Sequence, residues 1–189
     1  MITNHRNSVL AVLAVAVSLS ACSSHSDTAN KQDAAWGSGT SSTPLTAGQV
    51  DVKLTLQGEP VLEADGQKIA VKVNLANSGE TALSSTGTKP VNLGAHSVDA
   101  SGHIVTLDLA RAPLPYIAPG SSAVVTISVP VSGAMNNSVQ ILPVQEGVAW
   151  FDAFGTKPVA VGPFVSCSDA ALGKVCLGNG KPLATASTH

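Results

Sequence analysis

Aromatic residues are scarce in this chain: three Phe, two Trp and one Tyr in 189 residues, or 3%. Charge is scarce too, at 12%. A helical bundle is normally richer in Leu, Glu and Lys, so this composition speaks against one. Gly, Ala, Ser, Thr and Val abound instead, which suits short strands and many turns. No basic run occurs and the formal net charge is −2. Nucleic-acid binding therefore lacks its electrostatic support. The sequence contains no Gly-x-Ser-x-Gly motif, no phosphate-binding glycine loop and no Cys-x-x-Cys. The usual signatures of a nucleophilic, nucleotide-dependent or thiol-redox enzyme are thus missing, and the expectation is a protein that is not an enzyme. No cofactor is implied.

The N-terminus has the layout of a targeting segment. His5 and Arg6 give a short, weakly positive start. Val9 to Val17 is apolar but too short for a stable bilayer span. Leu19-Ser20-Ala21-Cys22 then resembles a bacterial lipobox, in which small residues precede a cysteine that is lipidated and becomes the new N-terminus. Residues 1–21 are expected to be a lipoprotein signal peptide. Residues 22–48, rich in Ser, Thr, Ala and Asp, are expected to be a lipidated flexible tether. About 25 such residues reach roughly 25–30 Å. Acyl chains at Cys22 hold a protein to a membrane because each buried CH2 contributes about 0.8 kcal/mol. Ser23, after the cysteine, implies by family analogy sorting to the outer membrane. Trp36 stands alone in the tether, either incidental or an anchor to a surface.

With Cys22 assigned to lipid, Cys167 and Cys176 remain as an even pair. In an oxidising compartment the expected product is a disulfide within a C-terminal tail, residues 166–189. Closing so short a loop stabilises by about 2–3 kcal/mol.

Between tether and tail, period-2 alternation dominates. Val52, Leu54 and Leu56 alternate with polar residues, as do Ile69, Val71, Val73 and Leu75. Val91 to Asp99 and His103 to Leu107 follow around a turn. The stretch Asp108 to Gly120 holds three prolines and cannot be a central strand. Ala123, Val125, Ile127 and Val129 resume the alternation. Val139–Gln145 and Val148–Phe151 flank Glu146-Gly147 in the pattern of a β-hairpin. Trp150, the largest apolar side chain there, is the natural filler of a core. One more short strand fits Pro158 to Phe164. The fold class is all-β: an antiparallel sandwich of about seven to eight strands over residues 49–165.

Three pieces carry a family resemblance. They are Val91-Asn92-Leu93-Gly94-Ala95-His96 with Asp99 and Gly102, Arg111-Ala112-Pro113-Leu114-Pro115 with Pro119-Gly120, and Val144-Gln145-Glu146-Gly147-Val148-Ala149-Trp150-Phe151. In this order they resemble an Ig-like accessory module of bacterial glycosyltransferases and methyltransferases, similar to the C-terminal glycan-recognition domain of O-antigen ABC exporters. The chain departs from that pattern at Ser97, where the family carries an aromatic, and at Pro143. The resemblance implies an Ig-like sandwich and a glycan-binding or accessory role in surface-polysaccharide biogenesis. A structural or assembly lipoprotein that binds another envelope protein is the alternative.

The candidate ligand-binding residues are Arg111, Tyr116 and Glu146, with a rigid donor fork, a ring with a polar tip and an acceptor. The competing reading of Arg111 is structural: it pairs with Glu146 or loop carbonyls while Trp150 packs beneath it. His96, Asp99 and His103 lie close in sequence, but two His and one Asp make a poor metal set. His96 is expected to bond within the domain and His103 to face solvent. The Asn136-Asn137-Ser138 sequon reads as a turn.

Overall fold

A computed structural model describes residues 41–169 and 174–186. The expected signal peptide, Cys22, Trp36 and most of the expected tether lie outside the described residues. Among the described residues no helix is long and apolar enough to cross a membrane.

Two sheets form an all-β sandwich of Ig-like type. In the first, β3 (Lys68–Asn77) is central. Along its full length it pairs antiparallel with β6 (Ser121–Pro130). Its other side takes β1 (Val52–Leu56) and β2 (Val61–Leu62). In the second sheet β5 (Ile104–Pro113), β4 (Val91–Val98) and β7 (Ser138–Gln145) run in that order. Beyond β7 the pairing is shared between β8 (Ala149–Trp150) and β9 (Val159–Val161).

The strands form where the alternation predicts them. Ile69, Val71, Val73 and Leu75 of β3 are all buried, as are Val125, Ile127 and Val129 of β6. Opposite them Val91, Leu93 and Ala95 of β4 and Val139 and Ile141 of β7 line the inner face of the second sheet. Alternate side chains of a strand point to opposite faces, so a period-2 sequence buries one face only.

The proline-rich stretch behaves differently from the expectation in one respect. β5 continues through Asp108 as far as Pro113 before the chain turns away. It does so as an edge strand, hydrogen-bonded only to β4, where a terminal proline costs no ladder bond. Pro143 is a stricter case, since it sits inside β7. It falls between the segment paired with β9 (Val139–Ile141) and that paired with β8 (Val144–Gln145). The missing N–H thus coincides with a gap in the ladder on that side.

Two expected boundaries move. The stretch from Ser41 to Gly48, assigned to the tether, is fastened to the sandwich. The Ser41 N–H bonds Thr86 O at 2.9 Å, the Lys89 N–H bonds Ser41 O at 2.7 Å, and Leu45 is buried. A single 3-10 turn at Ala47–Gln49 leads into β1. At the other end, the tail joins the fold. β10 (Phe164–Ser166) pairs with β11 (Val175–Leu177), and the disulfide Cys167–Cys176 closes them at a Cα separation of 5.0 Å. β12 (Ala184–Thr185) then adds in parallel to β2.

Candidate functional site

The hairpin between β7 and β8 turns at Glu146-Gly147, as its sequence predicts. Gly147 takes φ +65°, a left-handed conformation that side chains resist, and the Val148 N–H closes the turn on Gln145 O at 3.0 Å. The expected strand through Phe151 stops one residue early. Phe151 begins a 3-10 turn to Phe154, capped by Gly155.

Trp150 is where the core expectation fails. It pairs with Val144 and lies on the outer face of the second sheet, half-buried. The core position belongs to Phe151, which is fully buried. The Trp150 ring covers Gly94 of β4. A Cβ on Gly94 would stand 2.6–2.8 Å from the ring and from Arg111 Nη1, so only glycine admits both groups. The edge of the His96 ring meets Trp150 at 5.2 Å between centroids.

Arg111, opposite Gly94 on β5, completes the cluster. Its guanidinium lies 4.5 Å from the centre of the Trp150 ring, a cation–π contact. Nε donates to Glu146 Oε1 at 3.0 Å, and Nη1 sits 2.6 Å from Asp108 Oδ1. Asn92 also donates to Glu146 Oε1, at 2.9 Å. The structural reading of Arg111 is therefore met on both counts: it pairs with Glu146, and Trp150 packs beneath it. Together Arg111, Trp150 and the residues of the hairpin turn line an open surface depression. Nη2 of Arg111 and Oε2 of Glu146 have no hydrogen-bond partner among the described residues.

No protein-family model matches this chain, and no curated protein matches it either. The surface must be read from its own chemistry.

Of the three candidate ligand-binding residues, the fold joins two. Arg111 and Glu146 touch; Tyr116 is exposed on the following loop and does not line the depression. Ile117, its neighbour, bridges to Leu83, and this fixes the loop against another part of the domain. Three members of the cluster were not singled out as site residues by the sequence: Asn92, Gly94 and Asp108. Asn92 and Gly94 sit on a strand paired to both neighbours, and Asp108 joins them only through Arg111; these relations exist only once register is known.

The histidines behave as expected. His96 Nε2 bonds Gln140 Oε1 at 3.0 Å, and His103 is largely exposed. Asp99 accepts from the backbone N–H groups of Ser101 and His103 in a tight turn. The His103 N–H foremost holds the Asp99 carboxyl below the usual carboxylate range. Among the described residues no three His, Cys, Asp or Glu side chains gather into a set able to hold a metal ion. Ser97, where the resembling family has an aromatic, faces inward and is fully buried, so no ring is displayed there.

Proposed function

We propose that this protein is a non-catalytic lipoprotein of the bacterial outer membrane, anchored through Cys22, whose sandwich binds a surface glycan or serves as an accessory module in surface-polysaccharide biogenesis. One observation carries the reading: the pre-ordered Arg111–Glu146 pair beside Trp150 at the rim of an open depression. Neighbouring sugar hydroxyls ask for a donor and an acceptor side by side. Arg111 Nη2 and Glu146 Oε2 supply them, and each group is already immobilised by its other contacts, so little side-chain freedom is lost on binding. The resemblance to exporter and glycosyltransferase accessory domains points to the same ligand class. A shallow site of this kind binds weakly, in the millimolar to micromolar range, about −4 to −8 kcal/mol.

The second reading, an assembly lipoprotein that binds another envelope protein, is favoured by the open edge of β5.

Two measurements test the proposal. Cells fed an alkyne palmitate should label the protein, and Cys22→Ser should abolish both label and membrane fractionation; a labelled variant defeats the anchor. An array of bacterial surface polysaccharides should then be probed with the full chain carrying Cys22→Ser. Arg111→Lys, which keeps the charge and loses the fork, should weaken binding at least about tenfold while the domain stays folded. Tyr116→Ala should leave binding unchanged. Absence of binding to every glycan, with envelope proteins captured by crosslinking in cells, decides for the assembly reading.

A further inference from the structure

Arg111 is the only arginine among the described residues, and acids already hold it on two sides. Nε donates to Glu146 Oε1 at 3.0 Å. Nη1 lies 2.6 Å from Asp108 Oδ1 and donates to Ala110 O at 3.2 Å. A guanidinium grips a carboxylate best through two parallel N–H groups, one from each of two nitrogens. With Nε and Nη1 engaged, only Nη2 is left for a ligand, and that grip is lost. Trp150 takes a further share of the cation through its ring. The free atom of the partner acid, Glu146 Oε2, is an acceptor that asks a ligand for a donor. Arg111 and Glu146 are the only charged residues that line the depression. Lys89 reaches the Gly147 turn, its Nζ 3.6 Å from where a Cβ on that glycine would stand, but it does not line the depression.

We propose that the depression selects uncharged sugars and rejects sugars that carry a carboxylate. That preference rests on the glycan-binding reading of the site and narrows its ligand. A hydroxyl both donates and accepts, so neighbouring hydroxyls satisfy Glu146 Oε2 and Arg111 Nη2 together. An ionised carboxylate brings acceptors only. Placed against Nη2, it leaves Oε2 without a donor and sets two like charges side by side, which is costly at a recognition surface. Asp108 adds a second negative charge at the guanidinium, so one cation stands against two anions. An arginine free of acids would attract an acidic sugar; this one is spent on holding its neighbours in place.

The test uses the full chain with Cys22→Ser and matched probes: acidic bacterial polysaccharides and their carboxyl-reduced forms, which keep the same backbone and linkages. The chain should bind the reduced, neutral member of a pair at least about tenfold more tightly than the acidic one. Glu146→Gln keeps the shape of the side chain. Its oxygen can still accept from Arg111 and Asn92, while its N–H2 replaces Oε2, so the preference should shrink or reverse. Asp108→Asn, at a largely exposed position, should move the preference the same way. Lys89→Gln should leave it unchanged. Circular dichroism should match the parent in all three. Equal or tighter binding of the acidic member overturns the proposal and leaves the glycan reading standing. So does a preference that neither Glu146→Gln nor Asp108→Asn alters, or one that Lys89→Gln removes. Binding of neither member of any pair ends the glycan reading, and this preference with it.

Discussion

Phe151→Ala should destabilise the domain by about 3–5 kcal/mol, the usual cost of removing a buried ring from a packed core. Phe151 is fully buried and meets Phe154 edge to face at 5.5 Å between centroids. Its carbonyl also accepts the Thr156 N–H at 3.0 Å, so the turn it begins is tied to the same spot. Trp150→Ala should cost less, about 1–2 kcal/mol, although Trp is the larger residue. Its ring is half-buried on the outer face, and what it loses is partial burial plus the contact with Arg111. Urea denaturation of both variants checks this. The midpoint should fall further for Phe151→Ala, with the slope unchanged. The opposite order would put Trp150 in the core and reverse the facing of β8.

Gln145→Ala should cost about 3 kcal/mol and release the N-terminal strap. The Gln145 side chain is fully buried at the end of β7. Its Oε1 accepts the Leu45 N–H at 2.8 Å, and its Nε2 donates to Thr43 O at 2.9 Å and Lys89 O at 3.1 Å. Alanine leaves one donor and two acceptors without partners, each worth about 1–3 kcal/mol when it stays buried. Undocking of the strap lets water reach them, which limits the loss but exposes Leu45 and the chain around it. Limited proteolysis should therefore cut between residues 41 and 50 in the variant and spare that stretch in the wild type. Gln145→Glu is the sharper companion. It preserves the shape but turns a carboxylate oxygen toward two carbonyls, and it should destabilise at least as much at neutral pH. A strap equally resistant to protease in both variants would show that Gln145 does not hold it.

If Gln145 does hold the strap, the consequence reaches function. Chain assigned to a loose tether becomes part of the domain from Ser41 onward. Thr86 and Lys89, which bind Ser41, lie in the loop before β4, and Lys89 also approaches the Glu146-Gly147 turn. The strap thus enters the domain at the end of the sandwich where the proposed glycan site lies.

The sequence by itself determined the all-β class, the long strands and the turn at Glu146-Gly147. Those features are local: alternation over five or more residues selects a strand with one buried face, and a glycine at the turn admits the left-handed backbone there. The disulfide followed from counting cysteines, because the alternatives were few. Which face each strand presents was decided by the tertiary structure. Trp150 and Phe151 are adjacent, so one must face in and the other out, and both are apolar enough for either role. The pairing of Trp150 with Val144, and the bare surface of Gly94 beneath it, settled the choice. Arg111, Glu146 and Asn92 came together for the same reason, through register between strands far apart in the chain. Gln145 reads as an ordinary polar end to a strand until residues 100 positions away supply the groups that satisfy it. Contacts across such separations leave no period in the sequence, because they are set by which distant segments lie side by side and in what register, not by how one strand repeats.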